Sequence, residues 1–363
     1  MRKVLLAFAC YGIFLSASLF RSEVNAQTVP SDSSLLSLVK KYVHSPVQRT
    51  VAANGDVFLQ RDLGAYLRST VQSPEVPASE KDFGHDHKDE MLRTFLNRPH
   101  PNVATMNKYF EDAALEFGVP ASILKANGLV QSNWAQVSES IYGSWGVMGL
   151  IENYRVQQIS KAAALLGVDP QAIKNDAKTN IRAAAALLAS YQPNKAAAIE
   201  GWFEAVASLT GLWDEAMKHE LTVRIYDVMK NGSKTVTLWG EIINLESTGI
   251  NLPKSDREWG ITQKEASNMK TTATDYPNAI SNFTTCNYNS RPAGSTIKYY
   301  FVHYVATGTY QGAISWFKDC SSNVSAHYVV RNSDGQVSQV VAESNRAWSQ
   351  GVATYNDLGI GVE

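Results

Sequence analysis

The final third of the sequence alternates between strand-like and helix-like segments, and this alternation limits the possible fold more than any other feature. Residues 296–306, TIKYYFVHYVA, are β-branched and aromatic and predict a strand, whereas residues 310–319, YQGAISWFKD, predict a short helix. Residues 325–341 predict two strands around an Asp-Gly turn, which is a strong hairpin signal, and residues 357–363, DLGIGVE, predict a buried strand. Strands interleaved with helices indicate an α/β layer with a mixed central sheet.

The middle of the chain has a helical pattern instead. Residues 105–120, TMNKYFEDAALEFGVP, place apolar side chains on one face and then meet Gly118 and Pro120, which stop a helix. Two further segments are rich in Ala and Leu, with Asp176 and Thr179 as candidate caps. The predicted organisation is multidomain, with boundaries as follows: a signal peptide at 1–26, a partly helical lead-in at 27–100, an all-α domain at 101–247, a linker at 248–282 and an α/β domain at 283–363.

The N-terminus has the form of a secretory signal peptide. Arg2 and Lys3 precede an apolar run that ends at Phe20, and small residues near Ala26 suit cleavage. A membrane anchor is the alternative, although the run is shorter than the ~20 residues of a typical span. We therefore expect a secreted or periplasmic, cell-envelope protein with no membrane span after cleavage. The formal net charge of -1 argues against a nucleic-acid partner.

Two cysteines remain after signal cleavage, Cys286 and Cys320. Export permits a disulfide between them. Two separate buried thiols are equally compatible with the sequence, because spacing alone does not decide a pairing.

The C-terminal motifs, FVHYVATGTYQGAISWF, VSAHYVVRNSDGQVSQVV, RAWSQG and DLGIGVE, resemble the type-2 N-acetylmuramoyl-L-alanine amidases over roughly residues 275–363. That family uses Zn²⁺ to cut the amide bond between N-acetylmuramic acid and L-alanine in peptidoglycan. The resemblance implies that His303 is the first zinc ligand and that Glu363 is the acid that acts on the zinc-bound water. It also implies that His327, Tyr328 and Trp348 line the substrate groove.

The sequence departs from this family in its zinc ligands. The other two ligands normally lie downstream of the position that Glu363 occupies, and Ser349 stands where many relatives have a histidine. We therefore expect a truncated copy of a longer amidase, with a weak zinc site. The alternative is a non-catalytic, peptidoglycan-binding pseudoenzyme.

A second resemblance covers the helical part. FEDAALEFGVPASILKANGLVQSNW and YGSWGVMGL resemble the lysozyme-like domain of lytic transglycosylases, which would make residues 101–247 a lysozyme-like domain. Gln131-Ser132 stands at that family's Glu-Ser position, and residues 146–150 match its second motif. An amide cannot protonate a glycosidic oxygen as a carboxylic acid does, so a groove that binds glycan without cutting it is expected. A purely structural module remains the alternative.

Three aromatic residues precede this second motif: Trp134, Tyr142 and Trp145. They are suited either to stacking on sugars or to a hydrophobic core. Together the two resemblances predict a peptidoglycan hydrolase whose partners are the glycan strand and the stem peptide.

Overall fold

The computed structural model describes residues 47–61, 98–250, 274–303, 307–331, 333–350 and 353–363. These residues form a mixture of helices and several sheets. The predicted signal peptide at 1–26 and most of the predicted linker lie outside the described residues. Within them, none of the helices has the length and apolarity that a membrane span requires.

The helices of the described residues lie mainly between positions 103 and 231. They are α1 (Val103–Phe117), α2 (Ala121–Ser132), α3 (Gln158–Leu166), α4 (Pro170–Asn175), α5 (Ala177–Tyr191), α6 (Phe203–Leu209), α7 (Glu215–Asn231), α8 (Tyr310–Phe317) and α9 (Ala353–Leu358), with a 3₁₀ turn at Ile199–Trp202.

The strands are short and flank or follow the helices. They are β1 (Val47–Val51), β2 (Val57–Arg61), β3 (His100–Pro101), β4 (Ser144–Trp145), β5 (Leu150–Ile151), β6 (Ser233–Val236), β7 (Ile242–Leu245), β8 (Ile280–Ser281), β9 (Tyr288–Ser290), β10 (Tyr299–Val302), β11 (Tyr328–Val330), β12 (Val337–Gln339), β13 (Asn345–Ala347) and β14 (Gly359–Val362).

The predicted helix α1 is confirmed, with its apolar face in the core. Asn102 caps it by accepting a hydrogen bond from the Thr105 amide, and Gly118 ends it in the left-handed conformation, at φ 63°. Phe110 is fully buried, a contribution of about 1.5–3 kcal/mol for such a side chain. Asp176 caps α5 as predicted, and Thr179 supplies the amide that this cap binds.

The region from 101 to 247 is not all-α. Two antiparallel hairpins interrupt it, β4–β5 and β6–β7. Gly143, Gly146 and Gly149 all have positive φ around the first hairpin. A residue with a β-carbon rarely adopts this backbone conformation, and it is not helical, so the helical pattern is interrupted there.

The described part of the predicted lead-in is a β-hairpin, β1–β2, to which β3 adds a third strand. Asp56, in its turn, is buried and accepts a hydrogen bond of 2.7 Å from the Tyr109 hydroxyl on α1. The helices predicted in the lead-in fall on residues outside the described ranges. The hairpin therefore attaches directly to the helical region.

The C-terminal sheet has five strands in the order β10-β14-β11-β12-β8. The predicted strand, helix, hairpin and buried strand are all confirmed, as β10, α8, β11–β12 and β14. β14 lies inside the sheet and is parallel to both β10 and β11. β8 pairs in parallel with β12, so the end of the predicted linker belongs to this sheet.

One continuous apolar core joins the helical region to the C-terminal sheet. Ile314 and Phe317 of α8 pack in the same cluster as the buried residues of α1, α2 and α5. Arg155 reaches across and donates to both carboxylate oxygens of Asp319, at 2.6 and 2.9 Å. Burial raises the pKa of Asp319, but hydrogen bonds from Arg155 and Tyr154 outweigh it and hold that pKa below its ordinary value. The two regions are therefore packed as one body.

Cys286 and Cys320 form a disulfide across a sequence separation of 34 residues. The disulfide excludes the alternative of two separate thiols. Next to the bridge, the buried Asn287 donates from its side chain to the carbonyls of Phe317 and Asp319. The bridge and these hydrogen bonds fix the end of α8 beside β9.

Candidate active site at the ends of two parallel strands

His303 and Glu363 meet because they follow neighbouring parallel strands. His303 comes directly after β10 and Glu363 directly after β14, and the His303 amide donates to the Val362 carbonyl at 2.7 Å. The imidazole Nδ1 lies 3.6 Å from Glu363 Oε1, with 32% of the His303 side chain and 11% of the Glu363 side chain exposed. The carboxyl ends of parallel strands share one edge of a sheet, which explains this pairing.

Gln350 completes the group of side chains. Its amide nitrogen lies 2.8 Å from His303 Nε2 and 3.0 Å from the Ser349 hydroxyl. Because an amide nitrogen donates, Nε2 of the imidazole accepts, and the proton of a neutral ring lies on Nδ1, towards Glu363. The sequence analysis missed Gln350, although it is next to Ser349, the position at which relatives carry a histidine.

The segment containing Ser349 and Gln350 is seated on β14 by a glycine. A β-carbon at Gly361 would lie 2.5 Å from the Ser349 hydroxyl oxygen, so only glycine permits this approach. Asn356 holds the same segment from the other side, by accepting from the amides of Ser349 and Gln350. The side chain that contacts His303 is therefore positioned by both β14 and α9.

The structure places His327 in the interior and away from a groove. It is 1% exposed, and its Nδ1 accepts from the Gly361 amide at 3.0 Å. Its Nε2 lies 3.1 Å from the Asn345 carbonyl, to which it donates in the neutral tautomer. Both ring nitrogens have hydrogen-bond partners, so His327 supports β14 in this structure, and its predicted contact with substrate stays a prediction.

Tyr328 and Trp348, the other two residues predicted to line the substrate groove, differ from each other in burial. Tyr328 is buried and donates from its hydroxyl to Glu343 at 2.7 Å, while its carbonyl accepts from the Glu363 amide at 3.0 Å. Burial, reinforced by the Glu343 carboxylate, raises the pKa of Tyr328. Trp348 is half-buried, and its indole donates to Asn289 at 2.8 Å. Tyr328 orients Glu363 through the main chain, and Trp348 leads into Ser349 and Gln350.

His327 gives the fold a predictable pH dependence. Burial lowers its pKa to about 4; the Asn345 carbonyl opposes this shift and the charge of Arg291 adds to it. An unfolded histidine titrates near pH 6.5, so between about pH 6.5 and 4 the unfolded chain binds a proton that the folded chain does not. We expect the free energy of unfolding to fall as pH is lowered through this window, by up to about 3 kcal/mol from this residue.

Urea unfolding of the protein and of a His327→Gln variant, each measured between pH 7.5 and 4, checks this expectation. The variant should be less stable at neutral pH but should lose part of the slope. His100 is also buried, with a pKa lowered to about 3, but it is present in both proteins and cancels in the difference. Equal slopes in the two proteins would contradict the assignment.

The described residues do not complete a zinc site. A protein zinc site takes three or four ligands, and among the described residues no group of three His, Cys, Asp or Glu side chains lies in position to hold a metal. His303 and Glu363 supply two donors, and the Nε2 lone pair of His303 accepts from Gln350 in this arrangement.

The structure brings together the two motifs of the helical region. Gln131, on α2, is 6% exposed, and a β-carbon at Gly149 would lie 2.6 Å from its side-chain oxygen. Ser132 donates to the Val147 carbonyl at 2.8 Å. Gln131 thus faces the β4–β5 turn.

Of the three aromatic residues, two are core. Trp134 and Tyr142 are 1% and 4% exposed. Trp145 is half-buried, with the Lys174 ammonium 4.4 Å from its ring centre. Only Trp145 retains a surface that a sugar could contact.

Comparison with known proteins gives a result for the C-terminal segment. Residues 293–363 match the Amidase_2 family, described as N-acetylmuramoyl-L-alanine amidase. N-acetylmuramoyl-L-alanine amidase A of Achromobacter lyticus is 49% identical over 53 residues, which cover 15% of this chain and 30% of the length of that relative. No solved structure matches the chain significantly. The C-terminal segment that carries His303 and Glu363 is therefore similar in sequence to N-acetylmuramoyl-L-alanine amidases.

Proposed function

We propose that this protein is a peptidoglycan hydrolase that cleaves the amide bond between N-acetylmuramic acid and L-alanine. The observation that carries this proposal is the pairing of His303 with Glu363 at the ends of β10 and β14, inside the segment that resembles amidases. Two titratable side chains on rigid strands, partly open to solvent, are a suitable place for proton transfer.

Glu363 is the general base in this proposal. Its carboxylate takes a proton from the attacking water and delivers one to the departing amine nitrogen of L-alanine. His303 directs Nδ1–H towards that carboxylate and so orients it, while Gln350 fixes the ring from the opposite side. The backbone of Glu363 is held by Tyr328 and Val330 of β11.

Zinc dependence rests on the family resemblance alone. The test is elemental analysis of the purified protein without residues 1–26, beside the same protein with His303→Ala. Near-stoichiometric zinc that is lost in the variant would support a zinc-dependent amidase. No zinc in either protein would remove the metal from the proposal.

The direct test of function uses purified sacculi. An amidase releases stem peptides with a new L-alanine amino terminus and leaves the glycan strands intact, which mass spectrometry of the soluble products distinguishes from glycan cleavage. Intact glycan and new L-alanine termini are expected. Sacculi left unchanged at high enzyme concentration would contradict the proposal.

We further propose that the helical region is lysozyme-like and binds glycan without cutting it. The contact between Gln131 and the β4–β5 turn supports this assignment, because the two motifs meet where the cutting enzymes carry their acid. A Gln131→Glu variant is expected to gain weak glycan cleavage, detected as new reducing or anhydro ends. A variant that neither binds nor cuts glycan strands would favour a purely structural module.

A non-catalytic, peptidoglycan-binding protein is the second candidate. Two observations favour it. His303 and Glu363 supply two metal donors among the described residues, whereas a zinc site takes at least three protein ligands. Position 131 carries an amide, Gln131, in place of the carboxylic acid that glycan cleavage requires. Co-sedimentation with sacculi without release of peptides would establish this candidate in place of the enzyme.

We also propose that the protein acts in the cell envelope or outside the cell. The Cys286–Cys320 disulfide supports an oxidising compartment, and peptidoglycan as a substrate is found there. Amino-terminal sequencing of the exported protein tests cleavage after Ala26. An uncleaved, cytosolic protein would contradict this location.

A further inference from the structure

Tyr142, in the helical region, contacts the segment that joins His303 to α8. Its hydroxyl accepts a hydrogen bond of 2.7 Å from the Thr309 amide, six residues after His303. Thr309 is also the N-cap of α8, where its side chain accepts from the Gly312 amide at 3.0 Å. One hydroxyl from the helical region therefore holds the residue at which this segment becomes a helix.

The Tyr142 ring lies against two glycines, Gly308 just before the N-cap and Gly312 in the first turn of α8. A β-carbon at Gly308 would lie 2.7 Å from the ring, and one at Gly312 would lie 2.2 Å from it. Gly308 also has φ of +107°, which side-chain-bearing residues rarely adopt. The chain at the start of α8 is thus shaped to receive this ring, and no larger residue fits at either position.

Tyr142 is itself held rigidly. It is 4% exposed, and the Asn153 side chain donates to its carbonyl at 2.8 Å. Near it, Trp213 donates to the Ser315 carbonyl of α8 at 3.1 Å, and Arg155 binds Asp319 just beyond the end of that helix. The helical region thereby contacts α8 at its beginning, its middle and its end.

We propose that Tyr142 is a positioning residue for His303, and that the helical region holds the candidate active site in shape irrespective of any contact with glycan. His303 is fixed on one side by its amide bond to Val362 of β14. On the other side, the nearest described anchor along the chain is Thr309, held by Tyr142. Loss of the bond from Thr309 to Tyr142 removes one hydrogen bond between the helical region and the start of α8, and we expect it to change the environment of the His303 imidazole. The catalytic meaning of this inference rests on the proposed function, whereas the structural coupling does not.

A Tyr142→Phe variant tests the coupling because it removes one hydroxyl and leaves the ring against the two glycines. The Thr309 amide then has no acceptor, and its hydrogen exchange is expected to be at least fivefold faster. The NMR signals of the His303 imidazole, recorded at one fixed pH, are expected to shift or broaden.

Tyr226→Phe is the matched control. Tyr226 is also buried and also loses one hydroxyl bond to the main chain, the 2.9 Å bond to the Ile199 carbonyl, but this bond holds the 3₁₀ turn at Ile199–Trp202 and not the start of α8. This control is expected to lower stability to a similar extent and to leave the His303 signals unchanged.

The inference is overturned if Tyr142→Phe leaves both the Thr309 exchange and the His303 signals as they are, or if the control moves the His303 signals equally. Neither measurement requires turnover. An inactive protein in which Tyr142→Phe still perturbs His303 would refute the proposed function and leave the coupling intact.

Discussion

Replacing Glu363 by glutamine is expected to lower amidase activity on purified sacculi by at least a hundredfold while the fold is retained. A positioned general base contributes typically about 10²–10⁴ in rate, and glutamine has the size of glutamate but cannot accept the proton. The backbone contacts of this residue with Tyr328 and Val330 do not involve the side chain, so the sheet is preserved. Release of L-alanine amino termini measures the loss.

The matched control is Glu343→Gln. Glu343 is a second carboxylate of the C-terminal region, in the turn between β12 and β13, where it accepts from the Tyr328 hydroxyl, and a glutamine oxygen can accept the same bond. It has no contact with His303 among the described residues, and the control should keep most of its activity. An equal loss in both variants would point to a general disturbance of the sheet, and undiminished activity of Glu363→Gln would rule out Glu363 as the base.

The second large effect concerns the disulfide. Replacing both Cys286 and Cys320 by serine is expected to lower the free energy of unfolding by about 4 kcal/mol, the loop-entropy contribution of a bridge that closes a loop of this length. Denaturant unfolding of the protein and the variant, each with and without reductant, measures the change. Reductant should destabilise the parent protein and leave the double-serine variant unaffected. A response of the variant to reductant would show that the bridge is not the source of the effect.

The local elements of the C-terminal sheet were predictable because they depend on short patterns. The Asp334-Gly335 turn, the aromatic run at 299–302 and the aromatic helix α8 all follow from residues adjacent in the chain. His303 and Glu363 could be singled out by resemblance, and their pairing follows from the parallel register of β10 and β14.

Other features depend on contacts between residues far apart in the sequence, so no local sequence pattern predicts them. The burial of His327 results from the approach of Gly361 and Asn345 on two other segments. The contact of Gln350 with His303 depends on the packing of Ser349 against Gly361 of β14, which is a contact between separate segments. The attachment of the hairpin β1–β2 to α1 depends on Asp56, an acidic turn residue whose burial requires the Tyr109 hydroxyl.

The internal position of β14 has a consequence for the order in which the molecule assembles. β10 and β11 are not paired with each other among the described residues; both pair with β14, which comes last of the five strands in the sequence. During synthesis or export from the amino terminus, α1 to α7 precede residues 359–362, so these helices can pack before β14 is available to join β10 and β11. Until then both flanking strands present open edges, on which faulty pairing with other chains can begin. His303 and Glu363 come together when β14 pairs with β10, so the candidate active site cannot form before β14 has joined the sheet.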